Sequence, residues 1–188
     1  LFPSVFFGKK FKSKFEWQAN LTRKLNRPGF MQLMPFIMFS DKQNFRIGNP
    51  NLTPEFINLS EFNFNQTYSK LNVLSSLFFR NISNPITNYT YRYAADSSIL
   101  INTFINGKKS NNLGIDQTLR YTIIKGLEAT WNINLYYIWI NAQYNNVQFD
   151  NEGFNYTTKL NIRYLLPKDF TVQILSLIHI SEPTRRYA

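Results

Sequence analysis

The sequence predicts an all-β protein: an antiparallel up-and-down β-barrel that crosses a membrane. Two long segments, residues 127–139 and 154–164, alternate apolar and polar side chains. A period of two places successive side chains on opposite faces of a β-sheet. Both segments exceed the usual five or six residues of a soluble strand, and they reach the roughly 9–11 residues that a tilted strand needs to cross a bilayer. An aromatic-rich face opposite an amide-rich face indicates lipid outside and water inside.

The assignment of faces is clearest after residue 126. We expect the even positions Glu128, Thr130, Asn132 and Asn134 to point into the barrel. The odd positions, which we expect to face lipid, are Leu127, Ala129, Trp131, Ile133, Leu135 and Tyr137. Large aromatic residues near strand ends predict an interfacial girdle. These are Trp17, Tyr68, Tyr121, Tyr137, Trp139 and Tyr164.

Roughly eight strands can be placed along the chain, some of them partial. They are expected at residues 1–7, 15–25, 56–67, 71–93, 99–121, 127–141, 154–165 and 170–174. Short turns fall near residues 8–13, 67–70, 122–126 and 166–169, and longer connections at 26–55, 94–98 and 142–153. Alternation of short and long connections is typical of the two rims of an outer-membrane barrel. Consecutive strands are therefore expected to pair as a meander.

The connection over residues 26–55 is the longest interruption of the strand pattern. It contains Pro28, Pro35, Pro50 and Pro54, so it is a poor continuous strand and a restrained loop. Its apolar middle, residues 36–39, is expected to pack on neighbouring loops, on the barrel mouth or on a ligand.

The C-terminal segment differs from the rest of the chain. Residues 175–185 are the eleven that a transposon-type sequencing adapter encodes in one reading frame. We therefore expect residues 1–174 to be a fragment of the barrel domain, and residues 175–188 to be a non-native tail. The chain opens directly in strand-like sequence, so preceding residues are expected to be missing. His179, the one histidine, falls in the tail and is excluded as a functional candidate.

Composition excludes several function classes. The formal net charge is +10, but Lys and Arg are scattered rather than clustered in one block, so no nucleic-acid partner is expected. The absence of Cys excludes disulfides and thiolate chemistry. Without a usable histidine there is no nucleophile–base pair, so we expect no enzyme, no catalytic residue, no metal site and no cofactor.

Three stretches resemble TonB-dependent receptors, specifically their outer-membrane β-barrel domain. The most specific is residues 48–55, similar to the family's Gly-Asn-Pro-x-Leu-x-Pro-Glu signature. The others are an Arg-Pro loop within residues 22–36 and a Gly-x-Asp entry into a strand within residues 106–116, where the family has Gly-x-Glu. The residues that carry the resemblance are Arg27, Pro28, Gly48, Asn49, Pro50, Leu52, Pro54, Glu55, Glu61, Gly114 and Asp116.

The resemblance implies a larger barrel of about 22 strands, closed by an N-terminal plug and located in the bacterial outer membrane. It also implies energised uptake of a bulky or scarce nutrient: a siderophore, cobalamin or an oligosaccharide. The expected partners are outer-membrane lipid, a TonB complex that acts through the missing N-terminal part, and a small-molecule or oligosaccharide ligand.

The motif over residues 48–55 also has a physical interpretation of its own. Pro50 and Pro54 fix the backbone and remove two donors, so we expect a rigid structural approach to the strand at Glu55 rather than a ligand contact. Glu61 and Asp116 are expected to form hydrogen bonds in the lumen rather than to bind cations. Substrate contact is expected from residues 26–55 and 142–153, with lumen candidates Arg80, Arg120 and Arg163.

One alternative belongs to a different class. A soluble secreted β-sandwich, such as an adhesin or a carbohydrate-binding module, would bury its apolar face against a second sheet. It would also remain in the soluble fraction, whereas a barrel needs detergent.

Overall fold

The fold consists of one long antiparallel sheet and a smaller sheet beyond one end of its strands. The computed structural model describes residues 2–12, 14–39, 41–144 and 147–185. In chain order its elements are β1 (Ser4–Lys10), β2 (Phe15–Asn26), α1 (Phe30–Leu33), β3 (Ile37–Phe39), β4 (Asn44–Ile47), β5 (Glu55–Thr67), β6 (Leu71–Ser83), β7 (Ile86–Tyr93), β8 (Asp96–Asn106), β9 (Lys109–Ile124), β10 (Leu127–Tyr144), β11 (Val147–Leu165) and β12 (Thr171–Arg185). Within these described ranges, no helix has the length and apolar character needed to span a bilayer.

The main sheet has eight strands in the order β1-β2-β5-β6-β9-β10-β11-β12, each antiparallel to its neighbours. Its strands follow sequence order once two excursions, residues 27–54 and 84–108, are set aside. The predicted meander of roughly eight strands is therefore confirmed. β1 and β12 form the edges of this sheet, so the part of the barrel described here is open.

The register brings the apolar positions of all these strands to one face. Directly paired residues of antiparallel strands share a face, so the pairing of Trp131 with Leu119 and Leu160 orients three strands at once. One row on the apolar face is Phe7, Ala19, Phe62, Leu77, Ile115, Leu135 and Tyr156. A row on the polar face is Gly8, Gln18, Asn63, Ser76, Asp116, Asn134 and Thr157. These are the faces predicted for residues 127–137.

The sheet buries almost no apolar core. Among the described residues the buried apolar side chains are Leu52, Phe78, Phe104 and Ile105. The accessible surface of 13409 Å² exceeds the about 9,400 Å² expected for a compact monomer of 22.2 kDa. Leu21 and Ile115 on the apolar face are 53% and 47% exposed. Such a surface is stable only against another apolar medium, and lipid is the medium that a barrel wall meets.

Aromatic rings border the apolar face at both ends. Near the excursions, the Trp139 ring lies 5.9 Å from Tyr137 and 6.3 Å from Phe79. Near the short turns, the Trp17 and Phe62 rings are 5.8 Å apart. The ten residue steps from residue 127 to residue 137 extend about 33 Å along the strand, or about 25 Å in height at a tilt of about 40°. That height matches the apolar band of an outer-membrane barrel.

Gly114 lies between two aromatic residues on the polar face. It pairs with Phe78 on one side and Tyr136 on the other. A Cβ at this position would lie 2.5 Å from Phe78 Cζ, 2.5 Å from Tyr136 Cβ and 2.6 Å from the Leu135 backbone oxygen. The missing side chain therefore lets the Phe78 ring lie against the sheet, where Phe78 is only 8% exposed.

The excursions correct three expectations about secondary structure. Residues 27–54 are partly regular, because they contain α1, β3 and β4. The strand expected over 71–93 is divided: β6 ends at Ser83, Asn84 adopts a φ of 55°, and Pro85 has no N–H with which to continue the ladder. The strand expected over 99–121 divides at residues 107–108, because β8 ends at Asn106 and β9 begins at Lys109. β7 and β8 leave the main sheet and form a second sheet in the order β3-β4-β8-β7.

The loop expected over residues 142–153 is wrong for its described part. β10 and β11 stay paired as far as Tyr144 and Val147, and residues 145–146 lie outside the described residues. At the base of this segment two polar side chains meet across the hairpin. Asn141 Nδ2 donates to Asp150 Oδ1 at 2.8 Å. The hairpin thus continues beyond the apolar band instead of ending with it.

The soluble-sandwich alternative is wrong. A sandwich covers the apolar face of one sheet with a second sheet. Here the second sheet forms beyond the strand ends and does not cover the apolar face. Leu77, Leu113 and Phe154 on that face remain 49%, 47% and 49% exposed.

We predict that Ile133→Arg impairs barrel assembly and that Asn134→Arg is tolerated. A charge on the lipid face costs about 2–4 kcal/mol near the membrane midplane. Asn134 lies on the polar face, where its side chain donates to Asp116, so an arginine there has a carboxylate partner. The measurement is the yield of heat-modifiable folded protein in outer-membrane fractions of cells that make the complete protein. Equal damage from both changes would refute the assignment of faces.

We predict that Gly114→Ala destabilises the folded barrel by about 1–3 kcal/mol, because overpacking forces a shift of backbone as well as rings. The matched control is Gly8→Ala, a strand glycine on the same face whose nearest neighbour to a Cβ is the Trp17 oxygen at 3.2 Å. Urea unfolding followed by gel mobility measures both variants. A control as damaging as Gly114→Ala would mean that the loss is common to strand glycines and is not set by the crowding around Gly114.

Candidate functional site

The two excursions pair with each other and form one unit beyond the strand ends of the main sheet. β4 pairs in parallel with β8 through Phe45 and Ile101, and the Leu100 N–H donates to the Gln43 carbonyl at 2.7 Å. The excursions therefore support each other through backbone hydrogen bonds rather than extending separately. Both lie at the strand ends opposite the short turns, and this end of the sheet is the one expected to form the barrel mouth.

Gly48 and Asn49 close the first excursion on itself, and the Asn49 side chain attaches it to the second. The Gly48 N–H donates to the Met34 carbonyl at 2.9 Å, and a Cβ at Gly48 would lie 2.5 Å from that same oxygen. The Asn49 N–H donates to the Gln32 carbonyl at 2.7 Å, while its side-chain amide donates to the Phe104 carbonyl at 2.9 Å. A bulkier residue at 48 or a residue without an amide at 49 loses these contacts.

Asn106 provides the reciprocal contact from the second excursion. Its Oδ1 accepts from the Thr53 N–H at 2.8 Å, and its Nδ2 donates to the carbonyls of Thr53 and Asn84, each at 2.9 Å. One side chain thus satisfies three backbone groups that lie outside any strand ladder.

Glu55 joins both excursions to the main sheet. Its carboxylate accepts from the Ile86 N–H at 2.6 Å and from Asn26 Nδ2 at 2.6 Å. Glu55 is the first residue of β5, Asn26 is the last of β2, and Ile86 is the first of β7. The carboxylate therefore holds three chain segments together at the rim.

The remaining motif residues lie around these contacts. Leu52 is buried at 8% exposure, Pro54 and Pro28 are half-buried, and Pro50 and Arg27 are exposed. Gly48, Asn49 and Glu55 contact groups of the same chain, most of them backbone groups, which is the arrangement that a structural role requires. The structural role of the motif stays a prediction.

The tip of the first excursion is ordered by Asp41. Hydrogen bonds from the Gln43 N–H at 2.8 Å and from Asn44 lower the pKa of the Asp41 carboxyl. A lowered pKa means that these hydrogen bonds support the turn above the ordinary carboxyl pKa, and that this support is lost as pH falls through the lowered value.

The second sheet presents an apolar and aromatic face, which we call the mouth surface. It consists of Ile37, Phe39, Phe45, Ile47, Tyr89, Tyr91 and Ile101, which share a face by register. Phe39 and Phe45 meet edge to face at 5.0 Å, and Tyr89 and Tyr91 stack at 5.9 Å. Phe39 nevertheless remains 74% exposed and Ile37 54% exposed. The apolar cluster expected to need a partner is therefore covered only in part by the described chain.

A recess of about 250 Å³ lies on the polar face of the main sheet. It brings together three residues singled out in the sequence: Glu61, Arg80 and Asp116. Glu61 pairs with Phe78, which itself pairs with Gly114, so the close approach permitted by Gly114 forms one wall. Two carboxylates and a guanidinium within one recess can hold a polar ligand through charge-assisted hydrogen bonds.

Asn112 supplies an unused acceptor in the same recess. The residue is 9% exposed, and its Oδ1 is buried without a hydrogen-bond partner. A buried amide oxygen without a partner is costly, and a ligand donor reaching the recess would satisfy it.

The other two lumen candidates lie elsewhere on the polar face. Asn112 pairs with Arg80, and Arg120 lies eight residues further along the same strand, about 26 Å away. Arg163 pairs with Glu128 close to the short turns. The structure therefore does not gather Arg80, Arg120 and Arg163 into one site, and substrate contact by any of them stays a prediction.

Sequence reasoning missed several residues of these sites. Asn112, Asn134 and Tyr136 line the recess, and Asn106 ties the excursions together. Asn106 opens the third resembling stretch, but its contacts were not predicted, and Asn112, Asn134 and Tyr136 lie in strands whose local pattern does not mark them. The signal that identifies them is the register between strands that lie far apart in sequence.

Comparisons with known proteins agree with this architecture. The family model described as the outer membrane protein beta-barrel family matches residues 1–182. A search of curated proteins finds no significant match.

Solved structures with the same fold are named as receptors and a transporter. The chain is similar to the siderophore receptor PirA from Pseudomonas aeruginosa, with a TM-score of 0.61 and 13% identity, over 96% of this chain and 42% of PirA. It is similar to the ferric enterobactin receptor PfeA from Pseudomonas aeruginosa, with a TM-score of 0.57 and 14% identity, over 92% of this chain and 34% of PfeA. For the copper transporter OprC, the TM-score is 0.55 and the identity 14%, over 93% of this chain and 30% of OprC. The chain thus spans less than half the length of these proteins.

The predicted resemblance to receptor barrels is confirmed at the level of the fold, and the predicted outer-membrane location is confirmed by the family. The match over residues 1–182, the open eight-stranded sheet and its lipid-facing apolar surface agree. This chain belongs to the outer membrane protein β-barrel family.

Proposed function

We propose that this chain is part of an outer-membrane receptor that takes up a bulky or scarce nutrient, such as a siderophore, cobalamin or an oligosaccharide. The solved structures that share its fold are named as siderophore receptors and a copper transporter. The proposal extends that activity class to this chain. It also implies a binding and transport role rather than an enzymatic one.

The observation that carries the proposal is the mouth surface. An aqueous loop is ordinarily polar, yet here a hydrogen-bonded sheet at the mouth exposes Phe39, Ile37 and Tyr91 at 74%, 54% and 38%. Restraint by Glu55, Asn49 and Asn106 fixes the sheet in place before any ligand arrives. A preorganised aromatic surface suits a bulky ligand because little ordering entropy remains to be lost on binding.

The recess on the polar face provides a second contact further along the same wall. Its charged side chains Glu61, Arg80 and Asp116 suit the polar groups of a ligand that has left the mouth. Aromatic capture at the mouth followed by polar contacts in the lumen gives a ligand two successive sites on one wall.

We further propose that uptake is energised by a TonB complex acting through an N-terminal part of the protein. This step rests on the resemblance of residues 48–55 and on the receptor fold.

The proposed domain division places natural barrel sequence at residues 1–174 and adapter-derived sequence at 175–188. β12 and the family match both extend past this boundary. The pattern of faces breaks there, however. Leu175 and Leu177 stand opposite Asn161 and Lys159 on the polar face, whereas Thr171 and Gln173 before them are polar. Sequencing the gene from source DNA tests the division, and finding the same codons within a longer reading frame would contradict it.

We predict that deleting residues 35–45 from the full-length receptor leaves the barrel inserted and abolishes high-affinity uptake. The deletion removes β3, the turn before β4 and the first two residues of β4, Asn44 and Phe45, but no residue of the main sheet. Heat-modifiable gel mobility reports insertion. Binding to whole cells and uptake are measured with iron-loaded siderophores, labelled cobalamin and labelled oligosaccharides.

The same assay in cells that lack TonB separates the two parts of the proposal. Surface binding retained without uptake supports energised transport, and uptake that persists without TonB contradicts it. Normal binding by the deletion variant would mean that the mouth surface only covers the barrel.

We predict that Arg80→Gln lowers the uptake rate about tenfold while surface binding persists, because one charge-assisted hydrogen bond in the recess is lost. Arg120→Gln is the matched control, since Arg120 is an exposed arginine on the same face outside the recess. Initial uptake rates at saturating ligand measure the effect. Similar losses in both variants would assign the effect to lumen charge rather than to the recess.

A further inference from the structure

The end of the main sheet opposite the mouth, where the short turns lie, carries a dense set of lysines. We call residues 9–12, 14, 68–70, 125–126 and 166–170 the basic rim, because they form or flank the four short turns. These residues include seven lysines and one acidic residue, Asp169. The lysines, all exposed, are Lys9, Lys10, Lys12, Lys14, Lys70, Lys125 and Lys168.

The mouth end of the sheet does not share this excess of positive charge. The two excursions are much longer than the turns, yet they hold five cationic and two acidic residues. Their charges of both signs are interspersed along the chain. The positive charge of the protein is therefore concentrated at one rim rather than spread evenly over its polar surface.

Aromatic side chains place part of the basic rim at the boundary with lipid. Lys9 pairs with Trp17 on the apolar face, and Lys9 Nζ lies 5.1 Å from the centre of the Phe11 ring. The Phe11 ring lies 5.7 Å from Phe15, the next residue of the apolar face. A cation held over aromatic rings at the end of an apolar band matches the interface between acyl chains and headgroups.

An open recess of about 620 Å³ on the polar face adjoins the first turn. Its lining includes Lys10, Lys12, Lys14 and Glu16, and Lys10 pairs with Glu16 there. Three cations against one carboxylate leave the recess with an excess of positive charge. Lysine binds phosphate as a point charge through three donors, without demanding one fixed geometry.

We infer that the basic rim binds the phosphate headgroups of anionic phospholipids in the leaflet that the short turns face. In outer-membrane barrels the short turns lie on the periplasmic side. Lysines near a membrane surface attract anionic lipids additively within a Debye length. The rim has the features that this binding needs: clustered cations and, at Lys9, a lipid-facing position beside aromatic rings. The binding does not depend on which nutrient the receptor carries.

The test uses the full-length receptor in neutral detergent, with phosphatidylglycerol, phosphatidylcholine or inorganic phosphate added. We expect phosphatidylglycerol to raise the unfolding temperature and phosphatidylcholine to have little effect, because a ligand that binds only the folded state stabilises it. Replacing Lys9, Lys12 and Lys14 by Gln should weaken the apparent affinity for phosphatidylglycerol about tenfold or more. Native mass spectrometry counts the lipids retained by each variant.

Two matched variants keep the result interpretable. Replacing Lys42, Lys108 and Lys109 by Gln removes the same charge from exposed lysines at the mouth end of the sheet and should leave lipid binding unchanged. Replacing Lys9, Lys12 and Lys14 by Arg keeps the charge and should preserve binding. Equal losses of lipid binding in the two Gln variants, or no preference for phosphatidylglycerol over phosphatidylcholine, would overturn the inference. Equal stabilisation by inorganic phosphate would assign the rim to free anions instead of lipid.

Discussion

Pairing of the backbone within a sheet is the constraint on which this structure depends. Inside a bilayer no water is available to satisfy an N–H or C=O group, so each must find a partner in a neighbouring strand. The eight strands form one antiparallel ladder, with a register shift at Leu127–Glu128, and within it the six inner strands are paired on both sides. Once the ladder is fixed, the side chains follow, because direct cross-strand partners share a face. The absence of a large buried core in the described chain is then expected, since lipid covers the apolar face.

The same constraint explains the chemistry at the mouth. Where the chain leaves the ladder, its backbone groups need other partners, and side chains supply them. Asn106 satisfies three backbone groups, Asn49 reaches the Phe104 carbonyl, and Glu55 accepts from the Ile86 N–H. Proline at 50 and 54 removes donors that this region has no ladder to satisfy. The excursions become a second sheet rather than two separate loops because β4 and β8 complete each other's hydrogen bonds.

Charge is distributed according to the same geometry. The middle of the apolar face carries no charged side chain in the rows from Phe7 to Tyr156, whereas charged groups occupy the polar face and the two edges. On the polar face, Gly114 allows Phe78 to lie flat and leaves Glu61, Arg80 and Asp116 around one recess. At the edges, the mouth combines aromatic residues with mixed charge, and the opposite rim combines aromatic residues with lysine. The two ends of one wall thus differ in the ligands they suit.

The sequence by itself determined the existence of the main-sheet strands, their faces and the meander, because period-two alternation and short turns are local properties. It also singled out Glu61, Gly114 and Asp116, through the resemblance, before their proximity could be known. Only the tertiary structure decided that Arg80 lies near these residues while Arg120 and Arg163 do not. It also decided that residues 86–106 leave the barrel wall and that the Asn106 side chain forms hydrogen bonds with the Thr53 backbone. These relations depend on register between strands separated by tens of residues, and a shift of one residue would reverse every face. Periodicity records which positions alternate, but the hydrogen bonds between strands decide which of them meet.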